Sequence, residues 1–137
     1  QVEPDLKGTT KREIIDELLD ILYRNGLVQN LAEAAKAVWD RENSMSTGLQ
    51  YGVAIPHGKT DTVDRLVCAV GLKRDGIDYG AMDGQPSKIF ILTLSPVSKP
   101  APHVKFMSII SQILDEDGRA RLLRCRTRDE MYRFLCS

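Results

Sequence analysis

The sequence predicts an α/β chain of the mixed α+β kind: a single domain with a mixed β-sheet flanked by helices on both faces. Three observations lead there. Segments of helical period stand before, between and after a set of short apolar runs. Those runs are rich in β-branched residues and are set between Gly, Pro and Asp. The length of 137 residues, with 42% hydrophobic and 28% charged content, suits one compact domain over residues 1–137. A chain of this size removes roughly two-thirds of its unfolded surface from water, enough for a core without disulfides or a structural metal.

Thr10-Lys11-Arg12-Glu13 has the spacing of a capping box and predicts a helix start. Ile14, Ile15, Leu18, Leu19 and Leu22 then recur at helical spacing, and Asn25-Gly26 supplies the left-handed stop. Asn30 with Glu33 repeats the start signal ahead of Leu31, Ala34, Ala35, Val38 and Trp39, a helix expected to fray near Asn43. From Leu49 the pattern changes. Leu49–Ile55, Leu66–Leu72 and Ile89–Leu94 read as strands, Asp75-Gly76 and Asp83-Gly84 as turns, and the stretch between Asp78 and Met82 as a short strand or loop. The prolines from Pro96 to Pro102 predict a loop, after which Val104, Phe106, Met107, Ile109, Ile110, Ile113 and Leu114 make an apolar helix that Gly118 can end. Thr127-Arg128-Asp129-Glu130 is another capping box, opening a last helix with Met131, Phe134 and Leu135 inward.

Composition excludes several function classes. Nineteen Lys and Arg cancel nineteen Asp and Glu, which removes the footprint of a general nucleic-acid or membrane-surface binder. Cys68, Cys125 and Cys136 are odd in number and far apart, with no CxxC, and read as reduced thiols of a cytoplasmic protein. No apolar run approaches the ~20 residues of a membrane helix, so no membrane insertion is expected. Gly52 to Gly58 invites confusion with a phosphate-cradling loop, but five residues separate its glycines where that motif needs four, and Pro56 removes a donor. The aspartates of residues 61–83 sit in turn contexts without an EF-hand pattern, and the arginines of residues 119–128 read as a solvated, ion-paired surface.

The two histidines both follow proline: Ile55-Pro56-His57-Gly58 and Ala101-Pro102-His103-Val104. Pro56 is stiff and Gly58 has no side chain, so His57 is well mounted at the end of an apolar strand. A neutral imidazole is a usable nucleophile near pH 7, more so when a hydrogen bond to one ring nitrogen leaves the other free. The alternative is a satisfied, half-buried loop histidine. His103 lies where the proline-rich loop enters the apolar helix, beside amides that lack an intrahelical acceptor and favour an anion. The alternative there is a simple helix cap.

The segment Ser46-Thr47-Gly48-Leu49-Gln50-Tyr51-Gly52-Val53-Ala54-Ile55-Pro56-His57-Gly58 resembles the type-2 enzyme IIA domains of the bacterial phosphoenolpyruvate-dependent phosphotransferase system, the fructose, mannitol and nitrogen-regulatory family. The likeness continues through Asp83-Gly84-Gln85-Pro86, Ile89–Leu94 with Ser95-Pro96, and Pro102-His103, and so covers essentially the whole chain. It implies a mixed β-sheet flanked by helices and a phosphocarrier role. In that role His57 accepts a phosphoryl group from the histidine-containing phosphocarrier protein and passes it to a cysteine of an enzyme IIB domain. It also implies supporting roles for His103 and for Arg41 of the Arg41-Glu42 pair. Thr47 and Lys59 are weaker candidates for phosphate contacts, with a turn or solvent role as the alternative. No cofactor and no metal are expected, because the phosphoryl group comes from phosphoenolpyruvate through protein donors and transfer needs only positioning and fixed positive charge. Fructose-type sugar uptake is the leading expectation, and a nitrogen-type regulatory module controlled by His57 phosphorylation is the alternative. A homodimer is a further expectation, because the apolar helix after Pro102 carries more Ile, Leu and Met than one side of a sheet buries.

Overall fold

Thr10 opens the first helix as its spacing predicts. In the computed structural model, which describes residues 1–98 and 101–136, helix α1 (Lys11–Arg24) is capped by the Thr10 hydroxyl, which accepts from the Glu13 N–H at 3.2 Å. Ile14, Ile15, Leu18, Leu19 and Leu22 are buried along one side. Helix α2 (Leu31–Ser44) is capped by Asn30 in the same way, and its buried stripe is Ala34, Val38 and, one turn on, the carboxylate residue Glu42. On the far side of the chain come α3 (Ala101–Ile113), α4 (Glu116–Leu123) and α5 (Arg128–Cys136), the last capped by Thr127.

Five strands form one mixed sheet: β1 (Val2–Glu3), β2 (Val53–Ala54), β3 (His57–Lys59), β4 (Val67–Ile77) and β5 (Ser87–Ser95). The central strand β5 runs antiparallel to β4 and parallel to both β2 and β3, while β1 is parallel on the outer side of β4. β2 and β3 share one register, since Val53 faces Ile89, Ala54 faces Phe90 and His57 faces Thr93. They are two halves of one edge, parted at Ile55-Pro56 because proline has no N–H to give to a ladder. The Pro56 carbonyl still accepts from the Thr93 N–H at 3.0 Å, so the edge stays docked across the break.

Alternation along β5 sorts its side chains between two cores. Phe90, Leu92 and Leu94 pack with the buried sides of α1 and α2, whereas Ile89 and Ile91 pack with Ile110 of α3, Leu114 just after it, Leu122 of α4 and Met131 of α5. Helices therefore cover both faces, as expected. Val104 and Ile109 of α3 stay 68% and 43% exposed, so that helix does carry more apolar surface than the sheet takes. Among the described residues no helix is long and apolar enough to cross a membrane.

Several expectations at element level are corrected. The strand expected at Leu49–Ile55 shrinks to Val53–Ala54, because Tyr51 (φ 63°) and Gly52 (φ 76°) are both left-handed and form the centre of a tight turn over Gln50–Val53. His57, past the break at Pro56, opens a strand instead of sitting in a loop. Asp75-Gly76 is no reversal: β4 runs through it to Ile77, with an irregular register between Leu72 and Ile77. Gly118 does not end the apolar helix, which stops at Ile113. It lies inside α4, where its N–H donates to the N-cap carboxylate of Asp115 at 2.8 Å. The expected proline-rich loop gives way to helix already at Ala101; Lys99 and Pro100 of that loop lie outside the described residues.

Candidate active site

His57 opens β3, and the strand's alternation decides which way it faces. Gly58, one residue on, is turned to α2, where a Cβ would stand 2.8 Å from the Ala37 carbonyl carbon and 2.9 Å from the Val38 nitrogen. Only a residue without a side chain fits there. His57 and Lys59 therefore project to the opposite face, the side of α3. From α3, His103 meets His57 with ring centroids 5.0 Å apart and planes tilted by 32°. His103 is the third residue of that helix, within the turn whose N–H groups have no intrahelical acceptor.

The His57 ring is fixed by its own chain: Nδ1 lies 2.9 Å from the Ile55 carbonyl oxygen. A carbonyl oxygen only accepts, so Nδ1 is the nitrogen that carries a proton, and in the neutral ring Nε2 keeps its lone pair. His103 is held below the usual histidine range, first by burial and then by the neighbouring His57 and Lys59. Its ring is thereby kept neutral near pH 7, and Lys59 contributes a positive charge on the face shared by the two imidazoles.

The remaining sequence candidates divide. Arg41 stands in the last turn of α2 and donates from Nη1 to the Met45 carbonyl at 2.8 Å; its bond is to the loop that follows its own helix, not to either imidazole. Thr47 is corrected from a candidate phosphate contact to a buried anchor. It is 2% exposed, and its hydroxyl donates to the Glu42 carboxylate and lies 3.1 Å from the Tyr79 hydroxyl. Lys59 is exposed and on the same face as His57. Among the described residues no group of three or more His, Cys, Asp or Glu could hold a metal ion. Cys68 lies within β4, and burial pushes its thiol up, away from the reactive thiolate.

Sequence reasoning missed Glu42, Tyr79 and Lys11. Glu42 accepts from the Thr47 N–H (3.0 Å), the Tyr79 hydroxyl (3.0 Å) and Lys11 Nζ (2.9 Å), besides the Thr47 hydroxyl. A signal was present: Glu42 continues the stripe of Ala34 and Val38 at helical spacing, a charged residue in line with a buried face.

A surface pair of imidazoles, one with a free lone pair and the other close by at a helix N-terminus, is suited to receive a phosphoryl group that a protein partner presents. A groove of about 400 Å³ lies beside them, lined by Leu49, Tyr51, Ile55, Met107 and Ile110 among others; neither ring lines it. The whole chain, residues 1–137, matches the model of the family described as "Phosphoenolpyruvate-dependent sugar phosphotransferase system, EIIA 2". The chain belongs to that EIIA family. EIIA components are phosphotransferase-system proteins that transfer phosphoryl groups. This EIIA chain is similar to a fructose-specific EIIA component of Haloferax volcanii, with 34% identity over 120 residues, 87% of this chain and 78% of that protein. It is also similar to a nitrogen regulatory protein of Bradyrhizobium diazoefficiens, with 32% identity over 122 residues, 88% of this chain and 78% of that one. Among solved structures, the nitrogen regulatory protein IIA-Ntr of Neisseria meningitidis superposes with a TM-score of 0.87 at 26% identity, covering 98% of this chain and 91% of that one. The EIIA fold of that neighbour is the α/β arrangement described above.

Proposed function

We propose that this EIIA chain is a phosphocarrier of fructose-type sugar uptake in the cytoplasm. It takes a phosphoryl group on His57 from the histidine-containing phosphocarrier protein and gives it to a cysteine of an enzyme IIB domain. The observation that carries this reading is the 2.9 Å contact from Nδ1 to the Ile55 carbonyl. In the first step the Nε2 lone pair forms the new N–P bond while the donor's N–P bond breaks, and the donor imidazole keeps the released electron pair. His57 then bears the phosphoryl group on Nε2 and the proton on Nδ1, still bonded to Ile55. In the second step a thiolate of the acceptor attacks phosphorus, an S–P bond forms, the N–P bond breaks, and His57 returns to its starting tautomer.

The transferring group spreads negative charge over its equatorial oxygens, so the work of the site is positioning and fixed positive charge. His103 stands close enough to donate from a ring N–H, Lys59 supplies charge on the same face, and the α3 N-terminus favours an anion. Arg41 joins this set if its guanidinium leaves the Met45 carbonyl when a partner docks. No resident cofactor enters the scheme. The similarity to nitrogen regulatory proteins supports a second reading, in which the same phosphorylation of His57 controls affinity for a regulatory target and no sugar is involved.

The test is intact-mass analysis after mixing the chain with phosphoenolpyruvate, enzyme I and the phosphocarrier protein, with peptide mapping at mildly alkaline pH to spare an N–P bond. One acid-labile phosphoryl adduct on His57, lost in His57→Ala, is expected. Undiminished phosphorylation of the His57→Ala protein overturns the assignment.

A further inference from the structure

Glu42 is an expensive residue to place where it stands. The residue is 5% exposed and lies in the last turn of α2, where the helix dipole disfavours negative charge. Burying an ion is costly before its partners offset it, and an apolar residue of similar volume is often as stable. Here burial pushes the carboxyl up, and the bonds from Thr47, Lys11 and Tyr79 more than cancel this, leaving Glu42 below the usual carboxylate range. The same positions filled by apolar side chains would hold α2 to the sheet without any ion. The network adds directed bonds from α2 to α1, Thr47 and Tyr79.

Its bonds lead to the site. Glu42 grips Thr47 twice, at the backbone N–H (3.0 Å) and at the hydroxyl. The Thr47 carbonyl in turn accepts from the Ile55 N–H at 3.0 Å. The Ile55 carbonyl is the group that stands 2.9 Å from His57 Nδ1. Tyr79, buried at 1% exposure, and Lys11 of α1 close the carboxylate's other sides.

We propose that Glu42 is a positioning residue for His57: by pinning Thr47 it fixes the Ile55 carbonyl, which keeps the proton on Nδ1 and leaves Nε2 unprotonated. The importance of that tautomer rests on His57 being the phosphoacceptor. The tautomer itself is a property of the unphosphorylated protein and is measured without any transfer.

The experiment is a long-range ¹H–¹⁵N correlation spectrum of the two imidazoles in ¹⁵N-labelled protein, at a pH where both are neutral, with thermal unfolding midpoint and phosphoryl acceptance measured alongside. The wild type is expected to hold His57 mainly as the Nδ1–H tautomer. In Glu42→Gln an amide NH₂ faces groups that only donate or already do so, and the Nε2–H share is expected to rise roughly fivefold, the ratio equivalent to losing one ordinary hydrogen bond. The double variant Thr47→Val with Tyr79→Phe keeps the side-chain shapes and removes two of the donors; it is expected to shift the ratio in the same direction, and it decides the question if Glu42→Gln does not fold. A lowered midpoint with an unmoved tautomer ratio in the folded variant identifies a merely structural network and overturns the proposal. A wild type that accepts no phosphoryl group while the tautomers shift as expected would sink the phosphocarrier reading and leave the positioning by Glu42 standing.

Discussion

At the scale of single residues, the site is two imidazoles whose roles differ through their partners. His57 has Nδ1 committed to Ile55, so it has one free nitrogen; His103 is held neutral by burial and by the charges of its neighbours. Replacing His103 by Ala removes a donor near the developing charge without opening the core, because that side chain is only half-buried. We expect a folded protein with phosphoryl acceptance slowed on the order of 10²-fold, the usual effect of losing one such donor, read by rapid-quench kinetics. Arg41→Ala is expected to fold and to slow transfer in the same sense, since its hydrogen bond is to the Met45 carbonyl on an exposed loop end. Both histidines and Arg41 were legible in the sequence as candidates, through their punctuation and family pattern. The fate of Thr47 was not. Whether a hydroxyl faces a ligand or a buried carboxylate depends on Glu42 lying inward on α2 and on Tyr79 arriving from a distant segment, and neither contact is local.

At the scale of elements, the edge made of β2 and β3 is what places His57, and its closeness to α2 is set by Gly58. Adding one methyl group there drives a Cβ against the α2 backbone at Ala37 and Val38, which cannot turn aside as a side chain can. Gly58→Ala is expected to destabilise the fold by about 1–3 kcal/mol, the common cost of overpacking. It is also expected to slow phosphoryl acceptance, because the strand that shifts carries His57, the proposed phosphoacceptor; denaturant melts and transfer rates on one preparation check both. Helix starts were the most legible elements: Thr10, Asn30 and Thr127 each cap the helix that the spacing announces. The short strands were not. β3 is interrupted from β2 by a proline, and β1 is two residues long, so neither gives the alternation from which a strand is read. α4 was hidden because Gly118 suggests a stop, whereas Asp115 three residues earlier caps a new start.

At the scale of the whole molecule, the sheet is sandwiched between two apolar cores, and two titratable groups tie the stability of that arrangement to pH. His103 is depressed from its ordinary value of 6.5, so its share of stability is present above that pH and is lost as pH falls through the folded value. Glu42 is depressed from 4.5, so its share is present above that pH and is lost further into acid, where the exposed Asp5 and Glu13 lose theirs as well. The unfolding midpoint is expected to be flat between about pH 6.5 and pH 8, below the range where the raised thiols Cys68 and Cys125 would begin to oppose folding, and to fall in two stages below pH 6.5. His103→Ala should remove the upper stage and keep the lower. A midpoint that is constant from neutral pH down past the ordinary glutamate value would contradict this assignment of both groups.

In the proposed scheme Nε2 of His57, freed by the bond from Nδ1 to Ile55, carries the phosphoryl group. Its most direct test is ³¹P and ¹⁵N spectroscopy of the ¹⁵N-labelled chain after phosphorylation by the phosphocarrier protein. The expected spectrum shows ³¹P coupling to Nε2 of His57, with Nδ1 still protonated. Coupling to Nδ1, or a phosphoryl group on His103, would contradict it.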